Sequence, residues 1–473
     1  MFFVTLLVAA AAAAASFPGQ QFQVTSLPGL ASFPTDFGFY SGYITVDATA
    51  GRALFFMFAE ASEVRASAAP LVVWFTGGPG CSSLMALFQE NGPFAVNSPG
   101  VVTENEWAWN RRANVLWIES PAGVGFSYSN NTADYAVGDA RTTADATVFL
   151  QRFLFDYFPQ YARSPVWFTG ESYGGHYVPL ATWAAYATRA SARPIDVRGM
   201  MVGNAWTDAA NDNQGCLDQW WTHALIDQAS ADAVSAACNL SAIGPLVTTA
   251  RSCSQAVSHV QSVAFLDIDI YDIYADQCNV NAAAYADHVV HTLAGAGSVA
   301  HQILAGGKKK HARNSKRQMD PCDANNLAPY LNDPNVQAAI NALPTQWSAC
   351  SSVVDYDRTS ILTSVLPVYA KLFAAKLHVL IYSGDVDGIV PVLGTLKNVA
   401  ALNRPIKTHW QNWFVSDQYG PQVGGFAVQH DTFTFATVRN AGHMVPMYQP
   451  RRAYYMFANF LANQTLPTTN PFN

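Results

Sequence analysis

A serine stands between two glycines in residues 170–174, which read Gly-Glu-Ser-Tyr-Gly. A short apolar and β-branched run, 166–169, precedes it, and a glycine pair followed by a helical pattern comes after it. A nucleophile elbow requires this order of strand, tight turn and helix, and glycines on both sides of the serine avoid clashes in the crowded turn. The pattern predicts that Ser172 is a catalytic nucleophile.

An acid and a histidine follow in chain order, each after a predicted strand. Residues 377–383 form a buried-strand pattern that ends in a turn with two carboxylates, Asp385 and Asp387. Residues 433–438 alternate like a strand and lead to His443. In hydrolases with the order Ser, Asp, His, the imidazole takes the serine proton and the acid fixes its tautomer. We predict His443 as the general base, Asp387 as the orienting acid, and Asp385 as a turn-stabilising side chain.

These three segments resemble the serine carboxypeptidase family, and further motifs of that family are spread over nearly the whole chain. The most specific is the Gly-Gly-Pro-Gly-Cys-Ser-Ser block within residues 74–83. The resemblance implies an α/β-hydrolase fold with a central, mostly parallel sheet and an inserted cap. It also implies an acyl-enzyme intermediate and the removal of single residues from peptide C-termini at acid pH. The other matching motifs are 90–93, 109–110, 113–128 and 330–332.

By the same resemblance, the backbone amides of Gly78 and Tyr173 form an oxyanion hole. Gly77 and Gly78 follow a predicted strand, 71–75. Backbone without side chains can bring N–H groups close to a substrate oxygen there. The alternative is a glycine turn with no catalytic part.

Recognition of the substrate's free carboxylate is expected to use acids. Glu90 and Glu171 match the family's carboxyl pair that hydrogen-bonds the terminal carboxylate. Two carboxyls close together cannot both ionise cheaply, so one keeps its proton to higher pH and can donate to an anion. The alternatives are that Glu90 is a surface acid and that Glu171 merely fills the elbow.

Three more residues are assigned to this substrate pocket. Gly77 and Thr76 lie in the glycine block, and Thr76 stands where the family usually has Asn. A hydroxyl shorter than an amide loses a carboxylate contact or makes it through water, a change worth about 1 kcal/mol. Met444 matches a position that lines the pocket for the departing residue and would favour an apolar one, with core packing as its alternative. Trp74 and Trp117 are predicted to be sheet core.

Composition excludes some functions. The chain has 473 residues, half of them hydrophobic, with a net charge of -7 and a pI near 5.8. No basic surface suited to nucleic acid is expected from this balance. No Cys-x-x-Cys or His-x-x-x-His spacing indicates a metal site, and no cofactor is predicted.

Targeting signals predict the secretory pathway. Residues 1–16 read as a signal peptide, which is too short to span a bilayer. No later segment is long and apolar enough to be a membrane anchor, so we expect a soluble mature protein in a lysosome-like or vacuolar compartment, or outside the cell. A homodimer is left open. Glycosylation sequons occur at Asn130, Asn239 and Asn463.

Seven cysteines in a secreted chain indicate disulfides, and the odd number leaves at least one thiol over. Sequence alone cannot fix their pairing. The family resemblance leaves Cys216 free or paired differently. It implies the bridges Cys81–Cys350, Cys278–Cys322 and Cys238–Cys253.

The chain is predicted to divide into a signal peptide, a first part of the hydrolase core (17–205), an inserted cap (206–352) and a second part of the core (353–473). Local patterns within these parts predict a leading hairpin and two helices. The hairpin strands are 39–46 and 53–60, and the helices are 139–158 and 360–376.

One strongly basic run, 306–317, lies within the cap and must be exposed. It is either a solvated loop or part of a linker, 306–318, that is excised to give two chains. In the second case the bridges Cys278–Cys322 and Cys81–Cys350 would hold the chains together.

Three functions are compatible with these patterns. The first is a serine carboxypeptidase that acts on peptides with a free C-terminus. The second is an acyltransferase of the same family, which hands the acyl group to an alcohol. The third is a non-enzymatic role, such as a stabilising partner in a complex. An intact set of Ser172, Asp387 and His443 favours catalysis.

Overall fold

The computed structural model describes residues 17–98, 100–244, 250–265, 267–275, 326–417 and 420–468. The predicted signal peptide (1–16), the basic linker (306–318) and the expected Cys278–Cys322 bridge lie outside these residues.

A ten-stranded sheet forms the centre of the molecule, in the order β1-β2-β6-β3-β8-β9-β11-β14-β13-β12. The six strands from β6 to β14 are parallel, and antiparallel strands complete both sides. The middle strands are nearly continuous runs of buried residues, as strands covered on both faces must be. The remaining strands form two small two-stranded sheets, β4 with β5 and β7 with β10. The strands are β1 (Phe39–Asp47), β2 (Arg52–Ala59), β3 (Leu71–Phe75), β4 (Phe94–Ser98), β5 (Val101–Glu104), β6 (Asn114–Ile118), β7 (Ala136–Val137), β8 (Val166–Glu171), β9 (Val197–Gly203), β10 (Asp355–Tyr356), β11 (His378–Gly384), β12 (Ile406–Asp417), β13 (Gly420–His430) and β14 (Thr434–Val438).

Hydrophobic clusters cover both faces of this sheet. Alternate residues of β2 enter different clusters, Phe55 and Met57 on one face and Phe56 and Phe58 on the other, because successive side chains of a strand point to opposite faces. The described α-helices are α1 (Leu84–Gln89), α2 (Asp139–Arg152), α3 (Gly174–Ala187), α4 (Ala209–Thr222), α5 (Gln228–Ala237), α6 (Arg251–Ala264), α7 (Leu327–Leu331), α8 (Pro334–Ala339), α9 (Arg358–Leu362), α10 (Leu366–Ala374), α11 (Val392–Ala401), α12 (Val445–Tyr448) and α13 (Pro450–Leu461).

The local predictions are confirmed except for one helix. β1 and β2 form the expected hairpin, and α2 continues as a π-helical turn, Phe153–Tyr157. The single helix expected over 360–376 is wrong, because α9 ends at Leu362 and α10 begins at Leu366. Pro367 lies in the first turn of α10. A proline has no N–H to donate and its ring crowds the preceding turn, which favours a helix that starts here over one that continues through it.

The described parts of the segment between β9 and β11 are mostly helical. A third hydrophobic cluster joins α4, α5 and α6 to Ile270 and Tyr271, and also to Ile389 and Val390, which follow the Asp387 turn. This segment therefore packs on the end of the sheet where the site residues lie. The exact division into core and cap stays a prediction.

Two of the expected disulfides are confirmed, Cys81–Cys350 and Cys238–Cys253. Cys216 is a free, buried thiol on α4, and its sulfur donates to the carbonyl of Ile389 at 3.2 Å.

Candidate active site

Ser172 lies on the turn between β8 and α3, with φ of 61°. A left-handed backbone is unfavourable for serine and persists only where the surroundings hold it. The Ser172 amide donates to the Gly203 carbonyl at 3.1 Å, and the Ser172 carbonyl accepts from the amides of Gly175 and Trp206 at 2.8 and 2.9 Å. This is the strained strand-to-helix turn of a nucleophile elbow.

Side chains at the glycines around the elbow would meet neighbouring backbone atoms. A Cβ on Gly170 would lie 2.3 Å from the Phe75 carbonyl oxygen, and one on Gly174 would lie 3.0 Å from the same atom. A Cβ on Gly77 would lie 2.3 Å from the Tyr173 nitrogen. The glycine block and the elbow are therefore in direct backbone contact.

His443 and Asp387 form a buried pair. His443 Nδ1 and Asp387 Oδ2 are 2.7 Å apart, and the two residues are 4% and 0% exposed. A carboxylate can only accept, so Nδ1 carries the proton and Nε2 is left to act as a base. The His443 amide donates to the Tyr271 carbonyl at 2.7 Å. This bond ties the loop that carries His443 to the segment that contains Tyr271.

Four donors converge on Asp387. Oδ1 accepts from the Ile389 amide at 2.8 Å. Oδ2 accepts from His443 and, at 2.7 Å, from the side chain of Asn204. The Val390 amide is 3.3 Å from Oδ2. This arrangement holds the carboxylate in one orientation toward the imidazole.

Sequence reasoning missed Asn204. It follows β9 directly and has φ of 41°. Its side-chain oxygen accepts from the Gly384 amide at 2.9 Å while its nitrogen donates to Asp387. A polar residue at the carboxyl end of a parallel strand was the available signal, since Ser172 and Asp387 also follow such ends.

Asp385 is hydrogen-bonded to nearby backbone amides. Its Oδ1 accepts from the backbone amide of Asn440 at 2.6 Å, and burial raises the pKa of its carboxyl. The bond ties the acid turn to the histidine loop.

The expected oxyanion donors lie on both sides of the backbone contact between Gly77 and the elbow. Gly78 has φ of 112°, which favours glycine, and Tyr173 is the N-cap of α3. Among the described residues, neither the Gly78 amide nor the Tyr173 amide donates to a protein acceptor. Two unused donors next to Ser172 can receive a developing negative charge.

Glu90 and Glu171 form a second buried acidic pair, 2% and 3% exposed. Their side chains face each other, and a hydrogen bond between them requires one carboxyl to keep its proton. Burial raises the pKa of both carboxyls, and the negative charge of Glu90 raises that of Glu171 further. The alternative of a surface-exposed Glu90 is wrong.

The other pocket residues are placed as follows. Thr76 is buried, and its hydroxyl accepts from the Trp74 indole at 2.8 Å. Met444 is half-buried and contacts two hydrophobic clusters, one of them in the cap segment. Trp74 and Trp117 are fully buried core residues, as predicted. The three sequon asparagines, Asn130, Asn239 and Asn463, are exposed.

Within the described ranges, no group of three or more His, Cys, Asp or Glu side chains could hold a metal ion. In the same part of the chain, no helix is both long and apolar enough to cross a membrane.

A statistical model of a protein family, described as "Serine carboxypeptidase", matches residues 28–463. The chain belongs to the serine carboxypeptidase family. This membership places it among the serine-type carboxypeptidase hydrolases, while the roles of its individual site residues stay predictions.

Relatives within the serine carboxypeptidase family carry more than one kind of name. Serine carboxypeptidase 24 of Arabidopsis thaliana is 38% identical, with 94% of this chain and 93% of that protein covered. Serine carboxypeptidase-like 25 of the same plant is 37% identical, with 94% and 92% covered. P-(S)-hydroxymandelonitrile lyase of Sorghum bicolor is 35% identical, with 95% and 86% covered. Family membership alone therefore does not fix the specific activity.

A solved structure supports the fold. The prohormone-processing carboxypeptidase of Saccharomyces cerevisiae matches with a TM-score of 0.73 and 20% sequence identity, covering 94% of this chain and 96% of that one. The predicted α/β-hydrolase fold with a mostly parallel sheet is confirmed.

Proposed function

We propose that this protein is a serine carboxypeptidase that releases C-terminal amino acids from peptides at acid pH. The observation that carries the proposal is the buried Glu90–Glu171 pair, because Glu171 is adjacent in sequence to Ser172. A carboxyl pair that keeps a proton can donate a hydrogen bond to the carboxylate at the end of a peptide.

The chemistry follows from the residues around Ser172. His443 Nε2 takes the proton as Ser172 Oγ attacks the last peptide carbonyl, and the amides of Gly78 and Tyr173 stabilise the oxyanion. The imidazolium then gives its proton to the leaving amine, which departs as the free amino acid and leaves an acyl-enzyme. Water, deprotonated by His443, hydrolyses that ester and restores Ser172.

The Glu90–Glu171 pair supports action at acid pH. At low pH the pair holds at least one proton and can bind an anion. As the pH rises through the raised pKa values, the remaining proton is lost, and two carboxylates then repel the substrate's carboxylate. Substrate binding should therefore weaken toward and above neutral pH.

The deciding experiment is a mass-spectrometric time course with a peptide blocked at its N-terminus, at acid pH. Wild-type protein should remove residues one by one from the C-terminus, and Ser172→Ala should remove none. The same peptide with an amidated C-terminus is the matched substrate control, and it should be cleaved far more slowly. Equal cleavage of both peptides would remove the role assigned to Glu90 and Glu171.

Acyl transfer is the second candidate, because it would use the same acyl-enzyme. An intact Ser172 that labels with a serine-directed inhibitor but releases no amino acid would favour it. Adding an activated ester and an alcohol would then yield a new ester in place of the free acid.

We also propose that the protein travels the secretory route to a lysosome-like or vacuolar compartment, or out of the cell, and that peptides with a free C-terminus are its partners. The two disulfides support this route, since such bonds persist in oxidising compartments. Exposed sequons support it too. A gel shift after N-glycan removal from protein purified from its natural source should follow, and unchanged mobility would count against it.

A further inference from the structure

A second Asp–His pair lies behind the elbow and takes no part in the chemistry proposed above. Asp139, the first residue of α2, has its Oδ2 2.9 Å from Nδ1 of His176, which is fully buried on α3. Its Oδ1 accepts hydrogen bonds from two tyrosines, Tyr173 at 3.1 Å and Tyr356 at 2.7 Å. One carboxylate thus gathers three side chains.

Three aromatic rings pack around Tyr173, two of them from partners of Asp139. The His176 ring stacks on the Tyr173 ring, with centroids 4.5 Å apart and planes 22° apart. Tyr356 packs edge-on against Tyr173 at 5.3 Å, and Tyr177 does so at 5.1 Å. These contacts therefore fix both the orientation and the position of the Tyr173 side chain.

Fixing the phenol constrains the Tyr173 backbone, because only two side-chain torsions separate the ring from the Cα. The peptide group between Ser172 and Tyr173 follows the left-handed φ of 61° at Ser172. A strained turn relaxes unless its neighbours hold it. An oxyanion donor is effective only if it already points at the developing charge.

We infer that Asp139 is a positioning residue for the oxyanion hole, acting through the Tyr173 side chain to aim the Tyr173 amide. The inference rests on the proposed function in one respect, the use of that amide as an oxyanion donor. Tyr356 lies just after the predicted cap (206–352). The part of the chain that leads from the cap back to the core therefore also helps to hold Tyr173.

Labelling of Ser172 with a matched pair of phosphonofluoridates tests the inference, one probe with P=O and one with P=S. Ser172 Oγ bonds to phosphorus and fluoride leaves, whether or not the protein cleaves peptides. The phosphoryl oxygen occupies the oxyanion hole, and sulfur fits it poorly. Wild type should prefer the P=O probe. Asp139→Asn should be labelled about tenfold more slowly by it, and the P=O to P=S preference should shrink.

Asp145→Asn is the matched control. Asp145 is a second aspartate of α2; it is buried where Asp139 is half-buried, and it pairs with Arg52 instead of Tyr173. This variant should lose thermal stability yet keep the wild-type labelling rate and probe preference. Equal effects of Asp139→Asn and Asp145→Asn would overturn the inference.

Tyr173→Phe provides an independent arm, since it keeps the amide and the ring but loses the bond to Asp139. It should reproduce the Asp139→Asn effect, and the double variant should be no slower than either single one. Wild-type labelling of Tyr173→Phe would overturn the inference even if Asp139→Asn failed to fold. Absent peptide cleavage with normal labelling of the wild type would sink only the proposed function.

Discussion

The buried carboxyls near Ser172 differ in what surrounds them. Four donors converge on Asp387. Glu90 and Glu171 have mainly each other, and within the described structure one oxygen of each has no hydrogen-bond partner. The number of hydrogen-bond donors around each carboxyl, rather than the residue type, therefore distinguishes Asp387 from the Glu90–Glu171 pair.

Glu90→Gln should flatten the pH dependence of KM for peptides. In the wild type, KM should rise toward and above neutral pH as the Glu90–Glu171 pair loses its proton, because burial and mutual repulsion raise both pKa values. A glutamine cannot ionise, so the variant loses most of that rise. Steady-state kinetics from pH 5 to 8 measure it, and a flat wild-type KM would contradict the assignment.

Asn204→Gly should lower kcat about tenfold with little change in KM, because Asp387 loses a donor and the imidazole is held less firmly. Glycine tolerates the left-handed backbone at this position, so the change isolates the amide. Asn440→Gly is the matched control, since Asn440 is also left-handed, with φ of 58°. If the two variants had the same kcat, the role given to Asn204 would be wrong.

At the scale of secondary structure, the elements that end at the site were predictable and their mutual contacts were not. Buried apolar runs identified β3, β8 and β11, because such runs are typical of strands covered on both faces, and alternation of side chains identified β14. Asn204 and Asp139 were not found, since their partners lie far away in sequence and depend on the strand order. Thr76 was predicted to contact the substrate. Its hydrogen bond with the indole of Trp74 could not be predicted from sequence patterns either.

Gly170→Ala and Gly174→Ala should differ in severity. At Gly170 a methyl group would meet the Phe75 carbonyl at 2.3 Å, so strands β3 and β8 must separate, at a cost of about 2–3 kcal/mol in the free energy of unfolding. At Gly174 the distance is 3.0 Å and alanine favours the helix, so the cost should stay below about 1 kcal/mol. Urea unfolding of both variants is the measurement, and equal losses would show that crowding does not set the elbow's sequence.

At the scale of the whole molecule, the fold also buries acids to which the proposed chemistry gives no part. Burial raises the pKa of both Glu119 and Asp212 to about 7. Both are fully enclosed, and each accepts hydrogen bonds from backbone amides. At intermediate pH these carboxyls keep their protons in the folded protein but have lost them in the unfolded chain.

Stability should consequently fall as the pH rises from about 4.5 to about 7. Over that range the folded state holds more protons, and each such carboxyl contributes a slope of up to about 1.4 kcal/mol per pH unit. Burial lowers the pKa of His378, so this single group makes stability rise with pH and opposes the trend. Surface acids with lowered pKa values, such as Asp227 and Asp431, reduce the free energy of unfolding only when the pH falls below about 4. Thermal unfolding at pH 5, 6, 7 and 8 should give a steadily falling Tm, and a maximum near pH 8 would refute this.

The strand order has a consequence for synthesis of the chain. β11 and β14, which position Asp387 and His443, are made late yet sit in the interior of the sheet, with β14 between β11 and the hairpin of β12 and β13. If Ser172, Asp387 and His443 act together as proposed, the serine has neither its acid nor its base until β11 and β14 have been made. A nascent chain of this topology should therefore not hydrolyse its neighbours during most of its synthesis.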